Sequence, residues 1–359
     1  MWLTWFFGSL AMLSLGLAVW QFLVAMRFPL HRRRLSAEWR GGERMEDGGW
    51  RMEDLGVHQP STINHQPSTN SECGVPAAVT LLKPLKGCDS ETALCLQSWL
   101  SQEYAGELQV LFGVADPDDP VCELVRQLMA AHPQVDAQLV ICPEQLGANA
   151  KVSTLAHLEA IAKHDVLIIS DADVRVPSDL VSQVVPQLSV PGGGLVNCVY
   201  RFANPSNWAM RLEAVATNAD FWSQVLQAQS LKPLDCALGA VMATTRTQLE
   251  KIGGFMALVD YLADDYQLGH RIARNGGRIA LSPVVVECWS APMNWKEVWT
   301  HQLRWARTIR VCQPVSYFLS ILNNGTLWAL LFCFFGPAPS FGWGVSGWGA
   351  NDYGGVFHF

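Results

Sequence analysis

The chain has 359 residues, half of them hydrophobic and only 16% charged, against about 25% charged in an average soluble domain. This excludes a disordered chain, which needs low hydrophobicity and high net charge. The net charge of −7 argues against nucleic acid as a partner, because a phosphate-binding surface needs a basic excess.

Residues 1–30 read as a membrane anchor. Met1–Met26 carries no charged side chain and exceeds the ~20 residues that cross a bilayer. Trp2, Trp5 and Trp20 lie near its ends, where aromatic rings suit the lipid–water interface. Arg27 and Arg32–Arg34 follow, so the positive-inside rule places the next domain in the cytoplasm. A cleaved signal peptide fits less well, since no basic stretch precedes the apolar run and no small-x-small site follows it. Residues 31–75 read as a flexible tether. RMED occurs at 44–47 and 51–54, and HQPST at 58–62 and 65–69, with Pro, Ser, Asn and Gly but no apolar stripe. The cysteines are scattered singly, without zinc spacing, and read as free thiols.

Residues 76–293 alternate between strand and helix. Strands are expected at 78–83, 108–114, 137–142 and 166–170, and helices at 91–102, 121–131 and 150–163. This pattern specifies an α/β fold with a mostly parallel central sheet. Such sheets bind ligands beyond the carboxyl ends of their strands, and acids stand there. Asp116, Asp118 and Asp119 follow the second strand, and Asp171 and Asp173 follow the fourth, in SDAD. Acids are common in turns and helix caps for backbone reasons, but a DxD after a fully apolar strand suits a shared Mg²⁺ or Mn²⁺. Such an ion keeps waters and takes substrate phosphate oxygens. Asp264 and Asp265 open a further helical stretch, a position that the helix dipole alone also favours.

Residues 294–312 combine Trp295, Trp299 and Trp305 with Arg304, Arg307 and Arg310. They read as an amphipathic helix at a membrane surface, whose arginines can also clamp a diphosphate. Residues 313–336 form a candidate second transmembrane segment, interrupted at Asn323, Asn324 and Gly325, before a Gly/Trp-rich tail at 337–359.

The order KPLKG, DPDDP, GANAK, SDAD, ADD and QLRW resembles the ceramide glucosyltransferase family, glycosyltransferase family 21, together with bacterial enzymes that glycosylate hopanoid lipids. The resemblance covers Val79 to Arg310. It implies a GT-A type nucleotide-sugar-binding domain flanked by transmembrane helices, which transfers a sugar from a UDP-sugar to a membrane lipid hydroxyl with inversion. By that resemblance, Asp119 and Lys151 serve the nucleotide. Asp171 serves the nucleotide-sugar and, with Asp173, a Mg²⁺ or Mn²⁺ ion. Asp265 is the general base, and Arg304 and Trp305 form the closing arginine–tryptophan pair. The first position of that closing motif is Gln or Arg in the family; here it is His301, with Gln302 one place late. The implied acceptor is ceramide-like and the donor UDP-glucose. A UDP-N-acetylglucosamine-dependent hopanoid or other lipid glycosyltransferase is the alternative within the class, and a non-catalytic nucleotide-sugar-binding membrane protein the alternative outside it.

Overall fold

The computed structural model describes residues 2–31 and 76–335. The repeats and the Gly/Trp-rich tail lie outside the described residues. Helix α1 (Trp2–Arg27) is the one described helix long and apolar enough to cross a membrane. The chain divides into a smaller unit, with described residues 2–20 and 315–335, and a larger one running from Gln21 to Pro314.

In the larger unit the end of α1 packs Val24 and Ala25 against the main core, and the Gln21 amide donates to Gln227 Oε1 at 3.1 Å. Then come β1 (Val79–Leu85), α2 (Thr92–Leu100), β2 (Leu108–Val114), α3 (Val121–Ala131), β3 (Asp136–Ile141), α4 (Ala150–Ile161) and β4 (Val166–Ser170). These bounds follow the expected ones closely, because each strand is a short apolar run and each helix an amphipathic or Ala/Leu-rich stretch. Asn149 caps α4 by accepting from Val152 N–H, which removes an orphan donor at the helix start.

In the second half the sequence pattern marks only the helical stretch opened by Asp264 and Asp265, which is α9 (Asp264–Arg274), and the amphipathic helix at 294–312, which is α10 (Trp295–Cys312). This half contains β5 (Val174–Arg175), α5 (Leu180–Val184), β6 (Gly193–Phe202), α6 (Trp208–Val215), a π-helical turn over 216–221, α7 (Trp222–Leu231), β7 (Val241–Thr245) and α8 (Arg246–Glu250). It continues with α9 (Asp264–Arg274), β8 (Arg278–Cys288) and α10 (Trp295–Cys312). The sheet runs β3-β2-β1-β4-β7-β6-β8-β5. The first four strands are parallel to one another. Strand β7 then enters antiparallel to both β4 and β6, and β6 and β8 resume parallel pairing.

Side chains on the two faces of the sheet build two cores. Leu81, Phe112 and Ile168 meet Leu96, Trp99 and Val125 of α2 and α3 on one face. Leu82, Leu111, Leu167 and Ile169 meet Val152, Leu155 and Leu158 of α4 and Leu268 and Ile272 of α9 on the other. A strand buried on both faces loses its hydropathic alternation, as β1 shows with all seven positions buried.

In the smaller unit, α11 (Pro314–Leu319), a 3₁₀ turn over 320–323 and α12 (Gly325–Phe335) follow one another. The two halves bend by 53° at Asn324, so the polar interruption seen in the sequence is a real break. Thr4 Oγ1 donates to the Phe335 carbonyl at 2.8 Å, and the Phe7 and Phe335 rings stack.

Candidate active site

A cleft of about 920 Å³ opens at the carboxyl ends of β1, β2 and β4. Asp119, Lys151, Asp171, Asp173, Asp265, Arg304 and Trp305 all line it, although they come from five separate stretches of chain. The fold therefore brings together the seven residues to which the family resemblance gives a role in the site. Arg307 and Arg310 are exposed and do not line the cleft, so of the three arginines only Arg304 faces it.

Asp171 stands directly after β4. Its main-chain N–H donates to the Ala240 carbonyl at 3.0 Å, which seats the loop before β7 over the strand end. Lys151, at the start of α4, places its ammonium 2.7 Å from Asp171 Oδ1 and 2.9 Å from Asp264 Oδ2. Burial alone would lower the Lys151 pKa, but the carboxylates of Asp171 and Asp264 hold it well above the ordinary lysine value. One cation thus ties the end of β4 to the start of α9. The sequence offered no signal for this bridge, because it joins elements more than ninety residues apart.

Asp173 is accessible from the cleft but closely enclosed by protein. Burial, with the Asp171 carboxylate second, pushes its pKa up to about 6. A pair of carboxylates that feel each other's charge suits a hard divalent cation. Among the described residues no cluster of three or more His, Cys, Asp or Glu side chains is placed to hold a metal. A cation held by Asp171 and Asp173 would therefore have to take its remaining ligands from water and substrate oxygens.

Asp119 is partly committed to structure. Its Oδ2 accepts from Gly87 N–H at 2.8 Å, and its Oδ1 from Val121 N–H at 2.9 Å. It thereby fixes the turn after β1 against the start of α3 at the rim of the cleft. Beneath the floor, Lys83 is fully buried. It donates to Ser170 Oγ at 3.1 Å and to the Asp171 carbonyl at 2.5 Å, and burial lowers its pKa to about 8. Sequence reading passed over Lys83 as a strand end; a lone lysine inside an apolar run was the available signal.

Asp265 lies in the first turn of α9. Burial, with the neighbouring Asp264 charge second, pushes its carboxyl up to about 6. Its own backbone neighbour Tyr266 N–H donates to it at 2.7 Å. A carboxylate tuned toward neutrality in a cleft has the properties of a general base. The loop carrying Cys236 to Ala240 presses against it. A Cβ on Gly239 would lie 2.8 Å from Asp265 Oδ2, and Gly239 has φ +85°. Gly239→Ala therefore strains the backbone and crowds the carboxylate. It is expected to cost about 1–3 kcal/mol of stability and to lower turnover, as measured by thermal melting and by rate. Gly269 of α9 approaches the same loop still more closely, leaving 2.1 Å between its hypothetical Cβ and Ala237 N.

Helix α10 starts with a capping box: Asn294 accepts from Lys296 and Glu297 N–H, while Glu297 accepts from Asn294 N–H. Its inward side carries His301, Arg304 and Trp305 to the cleft. Trp305 packs among Tyr200, Phe202 and Phe221, with ring centroids 5.9–6.5 Å away. Its outward side leaves Trp295 60% and Trp299 71% exposed.

A family model described as glycosyl transferase family 21 matches residues 54–348. The ceramide glucosyltransferase of Candida albicans is 35% identical over 122 residues, 31% of this chain and 22% of that protein. Ceramide glucosyltransferase 3 of Caenorhabditis elegans is 24% identical over 205 residues, 57% of this chain and 44% of that protein. The matched stretches thus span less than half the length of these curated relatives. Among solved structures, the mannosyltransferase PcManGT from Pyrobaculum calidifontis, in complex with GDP-Man and Mn²⁺, superposes with a TM-score of 0.53 at 19% identity, covering 90% of this chain and 85% of that one. At that identity the likeness bears on the fold, which is of the GT-A type with a mixed eight-stranded sheet. By the extent of the family match, the chain belongs to glycosyl transferase family 21.

Proposed function

We propose that the protein is a membrane-bound inverting glycosyltransferase that moves a sugar, glucose in the first instance, from a UDP-sugar to the hydroxyl of a ceramide-like lipid. The convergence of Asp119, Lys151, Asp171, Asp173, Asp265, Arg304 and Trp305 on one cleft carries this reading. Asp265 takes the proton from the acceptor hydroxyl as its oxygen attacks the anomeric carbon. Arg304 stabilises the charge that develops on the departing diphosphate. Asp119 and Lys151 position the nucleotide, Trp305 supports Arg304 from the aromatic wall, and holding the two substrates together supplies much of the remaining acceleration. Asp171 and Asp173 would hold Mg²⁺ or Mn²⁺, which supplies Lewis-acid stabilisation of the leaving group when bound.

The apolar length of α1 and the arginines after it favour an anchored chain whose larger unit faces the cytoplasm. The exposed Trp295 and Trp299 suit α10 to the headgroup layer. Trp299→Glu is expected to lower transfer to an acceptor embedded in a bilayer about tenfold, the equivalent of roughly 1.4 kcal/mol. Transfer to a short-chain acceptor in solution is expected to persist. Rates with the two acceptors, compared side by side, check it.

Membranes bearing the protein, given a panel of UDP-sugars and followed by mass analysis of the lipid extract, test the whole reading. Glucose on ceramide is the expected product. N-acetylglucosamine on a hopanoid would replace both substrates, and no transfer from any UDP-sugar would overturn the enzymatic reading.

A further inference from the structure

A second cavity of about 770 Å³ adjoins the cleft. It lies between α6 and α10, beside the ends of β6 and β8. Phe202, Asp173, Cys288, His301 and Arg304 line both spaces, so the two meet at these side chains.

His301 stands at that junction with its ring fixed. Its Nδ1 is 2.7 Å from Glu213 Oε1, and Gln302 Nε2 donates to the same oxygen at 2.9 Å. The Glu213 side chain is 2% exposed. Against the upward pull of burial, the hydrogen bonds from His301 and Gln302 hold its pKa below the ordinary glutamate value. A carboxylate oxygen only accepts, so Nδ1 carries the hydrogen, and in the neutral ring Nε2 keeps a lone pair. Among the described residues nothing bonds to Nε2. Trp305 and Phe202 hold the ring plane, with centroids 4.8 and 6.2 Å away.

The rest of the chamber combines apolar wall with the charged side chains of Asp173, Lys296, Glu297 and Arg304. Met210, Met293, Pro205 and Trp289 supply apolar wall. The Asn204 side chain is engaged at both ends by the Ser290 backbone, at 2.9 and 3.2 Å. A chamber whose wall is largely apolar in area, with His301 Nε2, Asp173 and Arg304 at the end nearest the cleft, fits a ligand that is apolar along its length and bears a hydroxyl or amide at its tip.

We propose that this second cavity is the acceptor subsite, taking the polar headgroup and first methylenes of a hydroxyl-bearing lipid, with Nε2 of His301 accepting a hydrogen bond from that headgroup. Glu213 is then a positioning residue: it fixes the imidazole so that Nε2 faces the lipid. The subsite rests on the reading of the larger cleft as the donor site, and it gives a role to the position where this chain departs from the family's Gln or Arg.

The test uses the full-length protein in nanodiscs with a lipid acceptor, reading acceptor KM, kcat and UDP affinity separately. Thr300→Trp, at an exposed position of α10 that lines the chamber, fills it without disturbing a core. It is expected to raise acceptor KM at least tenfold while UDP affinity and melting temperature stay at the parent values. Glu213→Gln and His301→Leu are each expected to raise acceptor KM roughly tenfold, the scale of one lost hydrogen bond. His301→Gln, which keeps an acceptor, is expected to retain most of the affinity. Unchanged acceptor KM in Thr300→Trp, or equal losses of acceptor and UDP affinity, would overturn the subsite. If the parent protein transfers no sugar at all, the functional reading falls instead, and the two failures are thereby distinguished.

Discussion

Asp265→Asn is expected to lower sugar transfer by about 10²–10⁴-fold while UDP binding persists. A positioned base contributes about 10²–10⁴-fold, and asparagine keeps the shape of the side chain while losing the proton acceptor. Single-turnover rates with a UDP-sugar, set beside calorimetric UDP titration, check this. The same carboxyl sets a pH dependence. Its pKa lies at about 6 because of burial and the Asp264 charge, and only the deprotonated form acts as a base. The parent kcat/KM is therefore expected to fall as pH drops through about 6, approaching tenfold per unit. Stability runs the other way. The folded pKa lies above the unfolded one, so the stability this group contributes is present below the unfolded pKa and lost as pH rises through about 6. At neutral pH the carboxylate costs stability, and Asp265→Asn is expected to melt higher than the parent. Full activity in the variant would remove Asp265 from the role of base.

Arg304→Ala is expected to lower kcat by about 10²–10³-fold, the scale of losing one preorganised charge-stabilising group, with melting temperature unchanged. The second half follows from its setting: Arg304 is exposed to the cleft and forms no ion pair with the described residues, so no buried partner is stranded by its removal. Arg304→Lys keeps the charge but loses the planar fork, and is expected to recover only part of the rate. A loss confined to donor KM would show that Arg304 binds ground state and transition state alike.

The sequence exposed the parallel half of the fold because its strands are apolar runs separated by recognisable helices. It also exposed the acids, because Asp119 and Asp171 follow strands directly and the carboxyl edge is where such sheets work. The antiparallel entry of β7 between β4 and β6 was not legible: strand order depends on tertiary pairing, and VMATT reads the same in either direction. Lys83 looked like the end of a strand, and its burial under Asp171 emerges only when β1 and β4 are placed side by side. Glu213 gave no signal, since a single glutamate in a helix is ordinary until the fold sets it against His301. The bridge from Lys151 to Asp264 was hidden for the same reason: charge pairs across the fold leave no local pattern.

Helix α10 carries outward tryptophans and inward cleft residues on one capped, uninterrupted span of 18 residues. At about 1.5 Å per residue, Trp299 and Arg304 sit within roughly 8 Å of each other along the axis. On the proposed function, the depth at which the protein seats itself in lipid and the alignment of its arginine with the donor are then a single mechanical degree of freedom. Bilayer thickness and headgroup packing would act on turnover through a rigid rod, with no flexible joint between them to absorb the change.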